Sequence, residues 1–267
     1  MSFKDQIAEV EINDAEALTS DAPKFHWYHG IKQAKTPGHF FIKSSAAPIV
    51  PTAPWKETTN AYDDHGYMAE SLKIAIIAKR EVWFIPGEQG TRPEYLTHYK
   101  PGAKLNVELL CFVEGFGDEP LILSGSGKFK AGAFKNFVKQ YESALLRPAI
   151  AVAEKNLHAW TFWVPVGSER DGKGHPVYEM TTAQNGQQGA SVTPPIIVGD
   201  LDMDALYVGA ALLKQGEAIK AAYSQWSTES RAVAYLESEV ITAPKQLVAP
   251  GRNVPQFIDA NGDDVPF

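Results

Sequence analysis

The sequence predicts a mainly β fold with helical additions, and three observations carry that prediction. Apolar residues alternate with polar ones through much of residues 72–130, the period of half-buried strands. The period changes to that of a helix over residues 134–145, and strand-like alternation returns near Trp160. Breakers such as Pro86-Gly87 and Gly117-Asp118 separate these segments. The chain has 267 residues, 44% hydrophobic and 21% charged, so it holds enough apolar material for a real core.

Taken in order, residues 1–23 form an acid-rich arm in which Lys4 is the sole basic residue. Residues 24–70 read as an irregular segment, broken at Pro37-Gly38, Pro48, Pro51 and Pro54. Its aromatics, Phe25, Trp27, Tyr28, Phe40, Phe41 and Trp55, predict that it is ordered against something, as loops crossing a barrel face are. A first strand runs from Leu72 to Ile85, with Ile74, Ile76, Val82 and Phe84 on one side. A second runs from Leu105 to Phe116. A third runs from Leu121 to Lys130 and places Ser124, Ser126, Lys128 and Lys130 on one polar, basic side.

Phe134, Phe137, Val138, Tyr141 and Leu145 then recur at helical spacing, with Pro148 as the expected limit. A fourth strand aims Trp160, Phe162 and Val164 one way and Trp163 the other, and Pro176 to Thr182 supplies a fifth. Three strands, a helix and two strands is the order of an OB-fold-like five-stranded barrel, with an added N-terminal segment and C-terminal helices. The predicted organisation is an arm at 1–23, a barrel domain at 24–200, a helical extension at 201–240 capped by Asp204, and a linker with acidic tip at 241–267.

The formal net charge is -7, yet the charge is segregated. Five lysines and no acid lie between Lys24 and Lys56, and Lys128, Lys130, Lys135, Lys139 and Arg147 face only Glu142 between residues 120 and 153. A phosphate chain responds to the local field within about 8–10 Å, so the distribution matters more than the total. Single strands are held by cations along the phosphates and aromatic faces under the bases. The candidate contacts are therefore Trp27, Tyr28, Lys32, Lys35, Phe40, Phe41, Lys43 and Trp55 in the first basic segment. Lys128, Lys130 and Lys135 come from the second, with Trp83 and Trp163 as aromatics opposite their strands' bulky faces.

Other chemistries fail on inspection. Gly127-Lys128 lacks the earlier glycine and the following hydroxyl of a phosphate loop, since Ile122 and Phe129 stand there. Asp200, Asp202 and Asp204 open like a calcium loop, but Ala205 and Ala211 occupy the glycine and bidentate glutamate positions. Cys111 is the only cysteine and falls mid-strand on an apolar face, and His26 and His29 have no third ligand. No metal or other cofactor is expected. Asp63, Asp64 and Glu70 supply the rival reading, a metal-dependent nuclease, and a scaffold with a solubilising tail is a third. The absence of long apolar runs or an apolar leader predicts no membrane contact and a cytoplasmic location.

The chain ends Asp263-Asp264-Val265-Pro266-Phe267. This resembles the acidic tip of bacterial single-stranded DNA-binding proteins, commonly Asp-Asp-Ile-Pro-Phe. The rest of the chain departs from that family and looks more like the divergent single-stranded DNA-binding proteins of bacteriophages. The resemblance implies a tip that docks on replication and repair enzymes and also visits the protein's own DNA groove. Its physics is plain: a terminal Phe joins a ring to a free carboxylate, Pro266 restricts the backbone before it, and two aspartates attract a basic rim. The expected activity is sequence-tolerant binding of single-stranded DNA, with replication or recombination proteins as partners. RNA binding and homo-oligomerisation stay open.

Overall fold

The computed structural model describes residues 22–30, 35–60, 63–85, 94–96, 99–154, 156–168, 170–182, 188–192, 196–197, 201–224 and 226. Inward and outward residues alternate along its strands. The segment between Lys24 and Glu70, expected to be irregular, contains four strands: β1 (Lys24–Tyr28), β2 (His39–Lys43), β3 (Lys56–Thr59) and β4 (His65–Ala69). The breakers mislead because they cluster. Pro48, Pro51 and Pro54 share the one loop between β2 and β3, and Pro37-Gly38 lies just before β2.

The strands β5 (Ser71–Ile85), β7 (Lys104–Val113) and β8 (Leu121–Ser126) follow, with the short β6 (Glu94–Leu96) beside β5. After β8 come helix α1 (Lys128–Tyr141), one π-helical turn at Glu142–Leu146, and α2 (Arg147–Ala153). Then come β9 (Val164–Gly167), β10 (Tyr178–Thr182), β11 (Gln188–Val192), β12 (Ile196–Ile197), α3 (Met203–Leu206) and α4 (Ala210–Ala222). A ten-stranded sheet runs β12-β9-β5-β7-β8-β1-β2-β4-β3, with β6 off β5. All its described pairings are antiparallel except β1 with β8. The fold is thus mainly β with a few helices.

Several boundaries differ from expectation for local reasons. The third strand stops at Ser126 because Gly127, at a φ of 86°, turns the chain into α1, so Lys128 and Lys130 stand on a helix. Pro148 does not end the helical stretch. It sits in the first turn of α2, directly after the π-helical turn at Glu142–Leu146. Trp160 lies in a turn before β9 and buries in a different cluster from Phe162 and Val164. The expected fifth strand corresponds to β10, which pairs with β11 in a separate two-stranded sheet. Asp202, two residues before the expected cap, accepts the Asp204 and Ala205 amides at 3.0 and 3.3 Å. The helical pattern expected to reach Val240 is described only as far as Trp226.

Two cores form on the two faces of the sheet. On the inner face Phe25, Trp27, Phe40, Ile74 and Leu109 pack against Phe134, Phe137, Tyr141 and Leu145, the stripe foreseen for the helix. Gly125 permits this close approach, since a Cβ there would lie 2.3 Å from the Phe134 ring. On the outer face Ala75, Ile77, Leu110, Phe112 and Ile122 lie beneath Leu213 and Ile219 of α4, joined by Tyr223 and Trp226. A bulge between Ile76 and Ala78 shifts the β5–β7 register and brings Arg80 opposite Glu108.

Candidate nucleic-acid interface

Strand parity builds the site. With Phe25 and Trp27 turned into the core, Lys24, His26 and Tyr28 point to the outer face of β1. The β1–β2 register sets His26 against Phe41 and Tyr28 against His39, so His39, Phe41 and Lys43 share that face. The Tyr28 and His39 rings stack at 5.5 Å with only 9° between their planes. Phe41 meets Tyr28 edge-on at 6.0 Å and is itself buried. From the first turn of α1, Lys130 places its ammonium 5.5 Å over the Tyr28 ring.

Beside this platform lies an ionic knot. Glu108 is 0% exposed, yet it receives Lys24 Nζ at 2.9 Å, Arg80 Nη2 at 2.6 Å and Asn106 Nδ2 at 3.0 Å. Burial pushes its carboxyl up, but Arg80 and Lys24 outweigh burial and hold it below the usual carboxylate range. Ser124 Oγ donates to Asn106 Oδ1 at 3.2 Å and carries the network to β8. Trp226 closes the strip on the α4 side, with Arg80 4.5 Å from its ring. Burial lowers the Lys130 pKa. His39 is also held below the ordinary histidine value, by burial that outweighs a hydrogen bond at the Pro37 backbone.

Of the residues selected from the sequence, Tyr28, Phe41, Lys43 and Lys130 come to this face. Lys43 pairs there with Asp64 at 2.8 Å. Trp27, Phe40, Phe41 and Trp55 are corrected from stacking platforms to buried side chains. Trp27 is 0% exposed and lies over Gly38, where a Cβ would stand 2.3 Å from its ring, and Trp55 Nε1 donates to the Glu114 carbonyl at 2.8 Å.

Trp83 and Lys135 belong to the opposite side of the β5–β7 arm. Lys135 bonds Glu81 at 2.7 Å, and Trp83 meets the 55%-exposed Tyr99 at 5.0 Å. Trp163 lines an open cleft of about 530 Å³ with Lys73, Val113, Glu114 and Leu212, and Tyr28 is not among its lining residues. Lys35 occupies an exposed turn at a φ of 52°. Lys32, the side chain of Lys128, and Asp263, Asp264, Val265, Pro266 and Phe267 lie outside the described residues.

Lys24, His26, His39 and Arg80 are not among the contacts expected from the sequence. The signal was the strict alternation Lys24-Phe25-His26-Trp27-Tyr28, which separates polar from buried positions once β1 is recognised as a strand. The carboxylates proposed for a nuclease are divided: Asp63 and Asp64 precede β4, whereas Glu70 follows it and pairs with Arg170 at 2.8 Å. A five-residue strand spans about 17 Å, well beyond the reach of one metal pair. Among the described residues no group of three or more His, Cys, Asp or Glu side chains could hold a metal ion. Nor is any described helix long and apolar enough to cross a membrane. No family model matches the sequence, and comparisons with curated proteins and with solved structures give no match either.

Proposed function

We propose that the protein binds single-stranded DNA with little regard to sequence, protects exposed strands during replication or recombination, and recruits partner proteins through its C-terminal tip. One observation carries this reading: the Tyr28–His39 stack lies on an outward sheet face beside Lys24, His26 and Lys130. A ring pair offers its face to any base, and cations beside it follow the backbone, a combination that tolerates sequence. The pairing order supports an OB-type barrel as the framework. The β5–β7–β8 meander is followed by α1, and β9 returns to pair with β5. The N-terminal β1 pairs in parallel with β8. No cofactor or bond-making step belongs to this function.

The test is a titration of labelled oligothymidine and oligouridine, followed by anisotropy at two salt concentrations. Binding of the DNA strand that weakens with salt supports the proposal. Absence of binding, or binding indifferent to salt, overturns it, and metal-dependent loss of the label would restore the nuclease reading. Tighter binding of the oligouridine would reassign the substrate to RNA.

A further inference from the structure

His26 stands where three positive groups can converge. It projects from the outer face of β1 with an exposed edge, two residues from Lys24 on the same face. Side chains at that spacing on a strand lie about 7 Å apart. Lys130 approaches from α1 and also covers Tyr28, the next outward residue along β1. The groups facing His26 are Lys24 from its own strand, the Ser124 backbone from β8, Glu108 from β7 and Lys130 from α1, while β2 sets the uncharged Phe41 opposite.

Burial of part of the ring lowers the His26 pKa first, and Lys130 and Lys24 lower it further. The Ser124 hydrogen bond and Glu108 act the other way and do not prevail. Glu108 is already engaged by Lys24 and Arg80.

We propose that Lys24, His26 and Lys130 form a phosphate subsite in which the imidazole takes up a proton as the phosphate arrives. The inference rests on the single-strand-binding reading and adds its regulation by pH. Free, the site sets a basic ring near Lys130 and the Glu108-paired Lys24, and a further positive charge is repelled. A phosphodiester brings the missing negative charge. The ring then gains one proton from solvent, and its N–H donates to a non-bridging phosphate oxygen. Binding therefore consumes protons, and affinity rises as pH falls.

The test uses the full-length chain and oligothymidine between about pH 6 and pH 8, the interval in which a histidine changes charge. Affinity is expected to rise roughly 3–10-fold toward the acid end, since one unit of pKa difference between free and bound states equals a factor of about ten in binding. His26→Gln should flatten the dependence, and His175→Gln, in the exposed turn beside Asp171, should retain it. A second measurement follows the His26 ring by NMR: its titration should move to higher pH on adding oligothymidine, and by less with inorganic phosphate. Strand binding with a flat pH profile, a dependence that survives His26→Gln, or a His26 titration unmoved by the strand overturns the subsite alone. Failure to bind the strand at any pH overturns the underlying function as well.

Discussion

Trp27 and Tyr28 are neighbours in sequence and opposites in environment. The indole is 0% exposed against Phe40 and Gly38, whereas the phenol stacks on His39 at the outer face. Substitution should separate their roles. Tyr28→Ala is expected to weaken oligothymidine binding by about 1–3 kcal/mol with little effect on unfolding, because it removes the ring on which His39 stacks and over which Lys130 is held. Trp27→Ala is expected to cost about 3–5 kcal/mol of stability, because it empties a core site. Urea unfolding of each variant beside its binding isotherm checks both. Composition marks the two rings alike as aromatics in an acid-free stretch. Only strand parity tells them apart, and parity becomes readable once Lys24–Tyr28 is recognised as β1.

At the scale of elements, the sequence reads well where the period is long and poorly where elements are short. The helical stripe Phe134, Phe137, Tyr141 and Leu145 and the strands that became β5 and β7 are legible because each repeats its pattern several times. The four strands β1 to β4 are four or five residues each, too short for alternation to outweigh the neighbouring prolines. The Glu108 knot was hidden for another reason: it joins residues 24, 80, 106 and 108 through a register that one bulge sets.

Helix α4 shows how one small residue fixes a docking. Trp160 Nε1 donates to the Leu213 carbonyl at 2.9 Å, and a Cβ at Gly216 would stand 2.2 Å from that same nitrogen. Gly216→Ala should therefore push α4 off the outer face and lower stability by about 1–3 kcal/mol, as overpacking does. A reduced urea midpoint with shifted tryptophan emission is the expected result. An unchanged midpoint would mean that α4 accommodates the methyl without moving.

For the whole molecule, charge links folding to binding. His26, His39 and His158 all have pKa values lowered chiefly by burial, so the unfolded chain holds more protons than the folded one near and below the ordinary histidine value of about 6.5. Stability should be level above that value and decline as pH falls below it. A second decline should begin below about pH 4.5, where Glu108 and Asp64, held low in the fold by their cationic partners, become protonated in the unfolded chain first. Urea midpoints across pH read both stages.

The same cations set the salt response of binding. If Lys24, Lys43 and Lys130 each neutralise one phosphate, the log–log slope of affinity against salt is about -2, from roughly -0.7 per contact on single strands. A chain of net charge -7 reaches that slope only if phosphate displaces Glu108 and Asp64 from Lys24 and Lys43 and the remaining acids stay away from the strip. Deleting Asp263–Phe267 tests this directly. Removing two aspartates and the terminal Phe should leave oligothymidine affinity unchanged or raise it, most at low salt where screening is least, while abolishing capture of partner proteins. Loss of strand binding on truncation would place the tip inside the binding surface and overturn its role as a recruiting segment.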